Sequence, residues 1–315
     1  MRFELIKCHG SGNDFPLIDA RALSLGDADW ARVARALADR AGPVGGDGLL
    51  LLTAGDEDGR AFGMRMFNSD GSESETCLNG LRCVARAGFA ATGLTRATAR
   101  LKTSDALVVR DAEIAPGVFT VRETAGPASL DVLAWPMHVD ADQIVEAPLA
   151  GLPSTRAFTA VAMPNPHLVA FVEAVDDAEL VRVGEACEAA PDWLPNRANV
   201  SFVELRGTDL FVRTHERGVG LTDSCGSAMA ASTFAACLTG RIAYDTPTTV
   251  FNRGGLVRAE AGADGMVTLS GNATVEWTGS VTVDLDPGET GARDLVIARR
   301  HDEEIAAWET LRTGM

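Results

Sequence analysis

Two cysteines, Cys77 and Cys225, stand where a thiol could move protons. Each precedes residues suited to opening a helix, "LNG" after Cys77 and "GS" after Cys225. An alanine-bearing apolar run then leads to a glycine, Gly93 in one case and Gly240 in the other. A glycine there can take the left-handed conformation that closes a helix, so both thiols are expected at helix N-termini. The first-turn N–H groups of a helix lack an internal acceptor and, with the positive end of the dipole, bind an anion such as a carboxylate. The same field is expected to lower a thiol pKa from its reference near ~8.5. One helix start could therefore hold a carboxylate and activate a base beside it. Two such starts facing one α-carbon would place a thiol on each side. One thiolate would remove a proton while the opposite thiol supplied one, inverting the centre without a cofactor. A lone cysteine among alanines is more often a small core residue, which is how Cys8, Cys83, Cys187 and Cys237 read. Cys77 and Cys225 differ from these as a matched pair.

The elements that must position them follow from periodicity. "MRFELIKCHGSGNDFPLIDA" reads as strand, glycine-bearing turn and strand. "DADWARVARALADRAGP" places Trp30, Val33, Ala34 and Leu37 on one helical face, with acidic residues at its start and Gly42-Pro43 after it. "GLLLLTA" and "FGMRMFNSDG" read as a buried strand and an alternating one, and "ARLKTSDALVVRDAEIAPGVFTVRET" as further strands. Past "ETAGPASLD", with the composition of a linker, the order partly repeats through "RAFTAVAMPNPHLVAFVEAV" and "RANVSFVELRGTDLFVRTHERG". The repeat can be counted: Asn13 to Cys77 is 64 residues, and Asn165 to Cys225 is 60. Two similar halves result, each a helix on an antiparallel sheet with one cysteine at an equivalent place. The helices after the cysteines are apolar around much of their circumference, Arg82 and Arg86 excepted, and are expected in the middle of each half.

Composition narrows the class. A chain of 315 residues, 46% hydrophobic and 23% charged, predicts a globular protein of two domains or one large one. No stretch approaches the roughly 18 apolar residues of a membrane span, and the opening residues lack the features of a secretory signal. A cytoplasmic protein is expected, with no membrane partner. The formal charge of -16, unbroken by a basic cluster, disfavours nucleic acid. The six cysteines form no C-x-x-C, which argues for reduced thiols and against a structural zinc site. Only Lys7 and Lys102 could form a Schiff base, both in strand-like contexts, so a pyridoxal phosphate enzyme is not expected. "AGPVGGDGLLLL" fits neither a P-loop nor G-x-G-x-x-G. Taken alone, His167 would read as a loop histidine and Glu216-Arg217 as a surface ion pair.

Six stretches in order, "HGSGNDF", "VGGDGLLLL", "FNSDGSESETCLNGLRC", "NPHLV", "RANVSFVE" and "ERGVGLTDSCGS", resemble the motifs of diaminopimelate epimerase from His9 to about Leu285. The resemblance implies a cofactor-independent epimerase interconverting LL- and meso-diaminopimelate, on the route to lysine and peptidoglycan. The implied fold is α/β: two pseudo-symmetric domains, each an antiparallel barrel-like sheet wrapped around a central helix, often in a homodimer. The expected domains are 1–124 with 275–315, and 125–274. By position, Cys77 and Cys225 match the acid/base pair, and His167 and Glu216 match residues beside the reacting centre. Asn13, Asn68, Asn165, Asn199 and Arg217 match the polar set gripping the substrate. The N–H groups of Leu78, Asn79, Gly80, Gly226 and Ser227 match the anion-binding helix starts. No metal or cofactor is implied, and the partner is a small amino acid.

The chain departs from the family at points that bear on substrate choice. Leu78 stands where the family usually has glycine, Gly48 where many members have glutamine, and Pro164 where glycine is usual. "GSAMAA" lacks a second cysteine often found there. A charged helix is expected at "DEEIAAWETLRTG", in a segment from about Asp286 that extends past the usual end. The alternatives are a two-thiol racemase of another amino acid, histidine or proline-like, and a non-catalytic small-molecule binding protein. "ERGVG" and "NPH" disfavour the proline branch, and Arg217 favours a substrate with a second charged end.

Overall fold

The chain opens with a strand pair whose turn carries a strained serine. β1 (Arg2–Gly10) and β2 (Asn13–Asp19) run antiparallel, with Gly10 opposite Asn13. Ser11 and Gly12 make the turn with φ of 51° and 80°. Positive φ at both central residues suits a two-residue hairpin. Helix α1 (Asp27–Ala38), acidic in its first turn, carries the chain to β3 (Gly48–Ala54), which lies parallel to β2. β4 (Phe62–Asn68) and β5 (Glu73–Ser74) add antiparallel. Helix α2 (Leu78–Thr92) then leads to β6 (Arg96–Arg100), parallel to β4, followed by β7 (Asp105–Arg110) and β8 (Thr120–Ala125). The structure, a computed structural model, describes residues 1–135, 137–285 and 291–314.

The same order of pairings recurs downstream. After β9 (Ala147–Pro148), β10 (Ala157–Ala162) pairs antiparallel with β11 (Pro166–Val172). Helix α3 (Asp177–Glu188) crosses to β12 (Asn199–Arg206), parallel to β11. β13 (Asp209–Glu216) and β14 (Gly220–Thr222) follow antiparallel. Helix α4 (Gly226–Leu238) leads to β15 (Thr248–Asn252), parallel to β13, and then to β16 (Gly255–Ala261) and β17 (Val267–Asn272). The chain returns through β18 (Thr274–Val283), antiparallel to β1, then β19 (Ala292–Arg300) and α5 (Asp302–Thr313). Two units result, Met1–Glu123 with Ser270–Met315, and Thr124–Leu269.

The fold is thus mixed α/β, strand-rich, with five helices among the described residues. The sheets are mixed rather than antiparallel. Each of the helices α1, α2, α3 and α4 carries the chain back to begin its next strand in the same direction, and parallel pairing requires such a crossover. The expected linker also begins as structure, since Glu123, Thr124 and Ala125 belong to β8.

Packing follows the apolar patterns. Trp30, Val33, Ala34 and Leu37 of α1 are buried as the periodicity predicts, in a cluster that includes Phe3, Ile18, Leu49 and Phe67. α4 is buried at every position from Gly226 to Cys237, as expected of a helix without a polar face. Its alanines and serines let neighbouring strands approach closely. No helix among the described residues is long and apolar enough to cross a membrane.

The C-terminal segment is part of the first unit's packing, although its expected start, 286–290, lies outside the described residues. β19 pairs along β18. In α5, Glu304 takes two hydrogen bonds from Arg86, at 2.5 and 2.8 Å. Trp308 is 2% exposed, its ring centroid 5.6 Å from that of His9. Truncating a buried tryptophan leaves a cavity that the surroundings fill only in part. Trp308→Ala is expected to lower unfolding stability by ~3–5 kcal/mol in urea titration. A loss below ~1 kcal/mol would mean that α5 is peripheral to the fold.

Candidate active site

In each unit a cysteine caps the helix that follows it. Cys77, with extended backbone at φ -149°, is the N-cap of α2, and its Sγ accepts the Gly80 N–H at 3.4 Å. Asn13, at the start of β2, brings its Oδ1 to 3.8 Å from the same sulfur. The helix ends at Gly93, whose φ of 74° is the left-handed cap expected from the sequence. Leu78, Asn79 and Gly80 form the first turn and are buried, so the Leu78 side chain packs away from solvent. Gly80 is tightly enclosed, since a Cβ there would lie 2.7 Å from Leu50 and 3.3 Å from Cys77 Sγ.

Asn13 is held by a carboxylate from a stretch whose sequence reads only as glycine-rich. Asp47 accepts Asn13 Nδ2 at 2.5 Å and the Asp14 N–H at 3.1 Å, while Arg40 pairs with both Asp47 and Asp14. Asn68 closes β4 and donates to Ser72 Oγ at 3.0 Å. Opposite it in the β3–β4 register is Gly48. A Cβ on Gly48 would lie 2.4 Å from the Phe67 carbonyl oxygen, so no side chain fits there without moving a strand.

The second unit repeats the N-cap position in a drier setting, without the side-chain cap bond that Cys77 makes. Cys225 is the N-cap of α4, with Sγ 3.6 Å from Ser227 Oγ. Gly226 and Ser227 open the helix, both buried. The expected lowering of the thiol pKa does not hold here. Burial pushes the Cys225 thiol well up, and the charge of Glu216 raises it further against the pull of Ser227 and the Ala228 N–H. Desolvation of a thiolate outweighs a few N–H dipoles. Cys225 therefore rests as a protonated thiol. Glu216, at the end of β13, accepts Thr222 Oγ1 at 2.5 Å.

His167 is a strand residue in β11, fully buried rather than a loop histidine. Its Nε2 lies 3.0 Å from Asn165 Oδ1, and its Nδ1 has no hydrogen-bond partner. Burial, aided by the charge of Arg217, lowers its pKa from 6.5 to about 3, so the ring is neutral across the physiological range. Asn199 ties this group together. Its Nδ2 donates to the Pro166 carbonyl at 3.2 Å and its Oδ1 accepts the Arg217 N–H at 2.9 Å. The Arg217 guanidinium donates to the Asn196 carbonyl at 3.1 Å.

Within the second unit the structure thus joins Asn165, His167, Asn199 and Arg217, and separately Cys225, Glu216 and Ser227. Within the first it joins Asn13, Cys77 and Gly80. Asp47, Thr222 and Asn196 are additions that spacing alone does not reveal: Asp47 and Asn196 act through residues distant in sequence, and Thr222 reaches Glu216 across the β13–β14 turn. All six cysteines are free thiols. Among the described residues no three His, Cys, Asp or Glu side chains form a group that could hold a metal ion.

A family model described as diaminopimelate epimerase matches residues 5–118 and 159–276. The chain belongs to the diaminopimelate epimerase family. The diaminopimelate epimerase of Clostridium acetobutylicum is 36% identical over 294 residues, covering 90% of this chain and 87% of that one. That of Lactiplantibacillus plantarum is 36% identical over 325 residues, covering 97% of each. The fold is shared more widely than the diaminopimelate epimerases. A hydroxyproline epimerase from Agrobacterium vitis matches with a TM-score of 0.64 at 15% identity, covering 92% of this chain and 94% of that one. A PhzF-family phenazine biosynthesis protein from Bacillus anthracis matches at 0.63 and 14%, covering 90% and 100%.

The neutral buried His167 has a measurable consequence. Above pH 6.5 the ring is neutral in both folded and unfolded chains and adds no pH dependence. Below 6.5 only the unfolded chain takes up the proton, so stability falls by up to roughly 1.4 kcal/mol per pH unit until the folded pKa near 3 is reached. His167→Gln is expected to flatten the stability curve between pH 6.5 and 3 relative to the parent, measured by urea unfolding. Parallel curves would show that His167 titrates in the fold as it does in the unfolded chain.

Proposed function

We propose that the chain is a cofactor-independent epimerase that interconverts LL- and meso-diaminopimelate, in lysine and peptidoglycan precursor synthesis, with Cys77 and Cys225 as its acid/base pair. The observation that carries this reading is the placing of one cysteine as helix N-cap at the same topological step of each unit, after β5 in one and β14 in the other. Membership of the family and identity over nearly the whole chain supply the substrate class. We take the two units as pseudo-symmetric halves, each a sheet curled about its cysteine-bearing helix.

The chemistry follows from what each cap offers. The α-carbon of an amino acid is a very weak acid, and its carbanion is stabilised when charge passes into the neighbouring carboxylate. First-turn N–H groups of Leu78, Asn79, Gly80, Gly226 and Ser227 are the donors for that carboxylate, in sites shielded from water. One thiolate takes the α-proton and becomes a thiol; the other thiol gives its proton to the opposite side of the carbanion and becomes a thiolate. Atoms and charge balance, and the resting state is restored by proton exchange with solvent.

Cys225, raised by burial and by Glu216, begins as the donor. For the reverse reaction its proton needs an acceptor, and Glu216, hydrogen-bonded to the thiol, fills that role. His167, neutral and with an open Nδ1, can exchange a hydrogen bond with the substrate without bringing a charge into the site. Arg217 offers a cation for the distal carboxylate, and Asn13, Asn68, Asn165 and Asn199 supply the remaining polar grip.

The test is exchange in D₂O. The reduced enzyme is incubated with LL-diaminopimelate, and separately with histidine and proline, and loss of the α-proton is followed by NMR. Exchange with inversion is expected for diaminopimelate, and Cys77→Ala and Cys225→Ala should each slow it ~10²–10⁴-fold. Exchange on histidine or proline alone would keep the two thiols and replace the substrate. No exchange on any of them would favour a binding protein on the same fold.

A further inference from the structure

Helix α2 carries a cation that the chemistry above does not use. Arg82, the fifth residue of α2, is 0% exposed, and so is its ion-pair partner Glu123. A guanidinium buried only to neutralise a carboxylate would be expected to grip both of its oxygens. Arg82 does not. Nη1 alone reaches Glu123, at 2.7 Å, and Glu123 Oε2 is without a partner. The other bonds go elsewhere: Nε to the Asn272 carbonyl at 3.1 Å, and Nη2 to Asn79 Oδ1 at 2.8 Å and Ser11 Oγ at 3.0 Å.

The two acceptors of Nη2 flank the candidate site. Ser11 lies two residues before Asn13, and Asn79 two residues after Cys77. One nitrogen thus links the tip of the β1–β2 hairpin to the first turn of α2. The two backbones already touch, since a Cβ on Gly10 would lie 2.4 Å from the Asn79 carbonyl oxygen and 3.1 Å from Nη2. Ser11 also holds a left-handed φ of 51°, which a non-glycine residue keeps only where its surroundings over-determine it. Its N–H is fixed by Asn272 Oδ1 at 2.7 Å, and Asn272 Nδ2 is fixed in turn by Thr274 Oγ1 at 2.8 Å.

We propose that Arg82 is a positioning residue for Cys77, holding the Ser11 turn against the first turn of α2 so that Asn13 and the Gly80 N–H meet the thiol in one fixed geometry. The contacts at stake are the 3.8 Å approach of Asn13 Oδ1 and the 3.4 Å bond from Gly80. The proposal rests on the reading of Cys77 as an acid/base group. Misplacement of a reacting group by about 1 Å can cost ~10²-fold in rate, and a group is held that closely only when its supports are themselves locked.

The test uses the full chain and two variants. Arg82→Lys keeps the buried charge but cannot reach four acceptors, and Ser11→Ala removes one acceptor while leaving the ion pair. For each, kcat and KM with diaminopimelate are measured, together with thermal unfolding. Alkylation of Cys77 by iodoacetamide is followed against pH by peptide mass spectrometry, with Cys225 as internal reference. The expected result is a fall in kcat of at least ~10-fold for Arg82→Lys and a smaller fall for Ser11→Ala, with KM changed less. The alkylation profile of Cys77 should shift in both variants while that of Cys225 does not. Superimposable Cys77 profiles, or a kcat loss matching a loss of folded protein, would overturn the proposal. Full turnover by Cys77→Ala would instead overturn the acid/base reading, while the Cys77 alkylation profile would still decide whether Arg82 positions that thiol.

Discussion

A helix that begins inside a protein must find acceptors for the N–H groups of its first turn, and the rest of this structure is arranged around that demand. The usual caps are serine, threonine, aspartate and asparagine, as Asp176 is for α3, where it accepts from Ala178 and Glu179. At α2 the cap is a thiol instead. Sulfur is a weak acceptor, so Cys77 holds the Gly80 N–H loosely, in a contact that a stronger anion can take over. A conventional oxygen cap would bind that N–H more firmly and add stability. The helix start is thus kept weakly capped, and the cost falls on a fold whose other contacts are well made.

The two caps are alike in topology and different in solvent. Cys77 is half-buried and has a carboxamide for a neighbour, whereas Cys225 is buried with a carboxylate beside it. The helices behind them differ too. α2 keeps Arg82 and Arg86 and has an outer face along its second half, while α4 is enclosed from Gly226 to Cys237. A thiol at the mouth of an enclosed helix loses more hydration than the dipole returns, which is why its proton is held. Two thiols that the repeat makes equivalent therefore sit in different surroundings.

Much of this is legible from residue patterns. Cysteine followed by an apolar helix and a glycine locates α2 and α4, and the buried face of α1 follows from Trp30, Val33, Ala34 and Leu37. The mixed sheets are harder to read, because a buried strand has the same alternation and apolar content whichever way its neighbour runs. Arg82 reads as an exception on an apolar helix. Nothing local indicates that Glu123, Ser11 and Asn272 converge on it, since that convergence depends on strands distant in sequence. The raised pKa of Cys225 escapes the sequence for a related reason: a helix start is visible there, but the depth at which it is buried is not.

Gly48 illustrates how one position can take different roles in the two units. It opens β3, as Asn199 opens β12 after the corresponding crossover. In the second unit that residue joins Pro166 to Arg217 and is a hub of the site. In the first it has no side chain at all, and a Cβ placed there would approach the Phe67 carbonyl oxygen to 2.4 Å, which leaves no room for one. The polar work on that side falls to Asn13, which Asp47 holds by its side chain and the β1–β2 pairing holds by its backbone. With no side chain at the start of β3, the carboxamide beside the thiol comes from Asn13, next to the hairpin tip. A strained turn can serve that purpose only if it is clamped, and the buried guanidinium of Arg82 reaches it together with the Asn272 carboxamide.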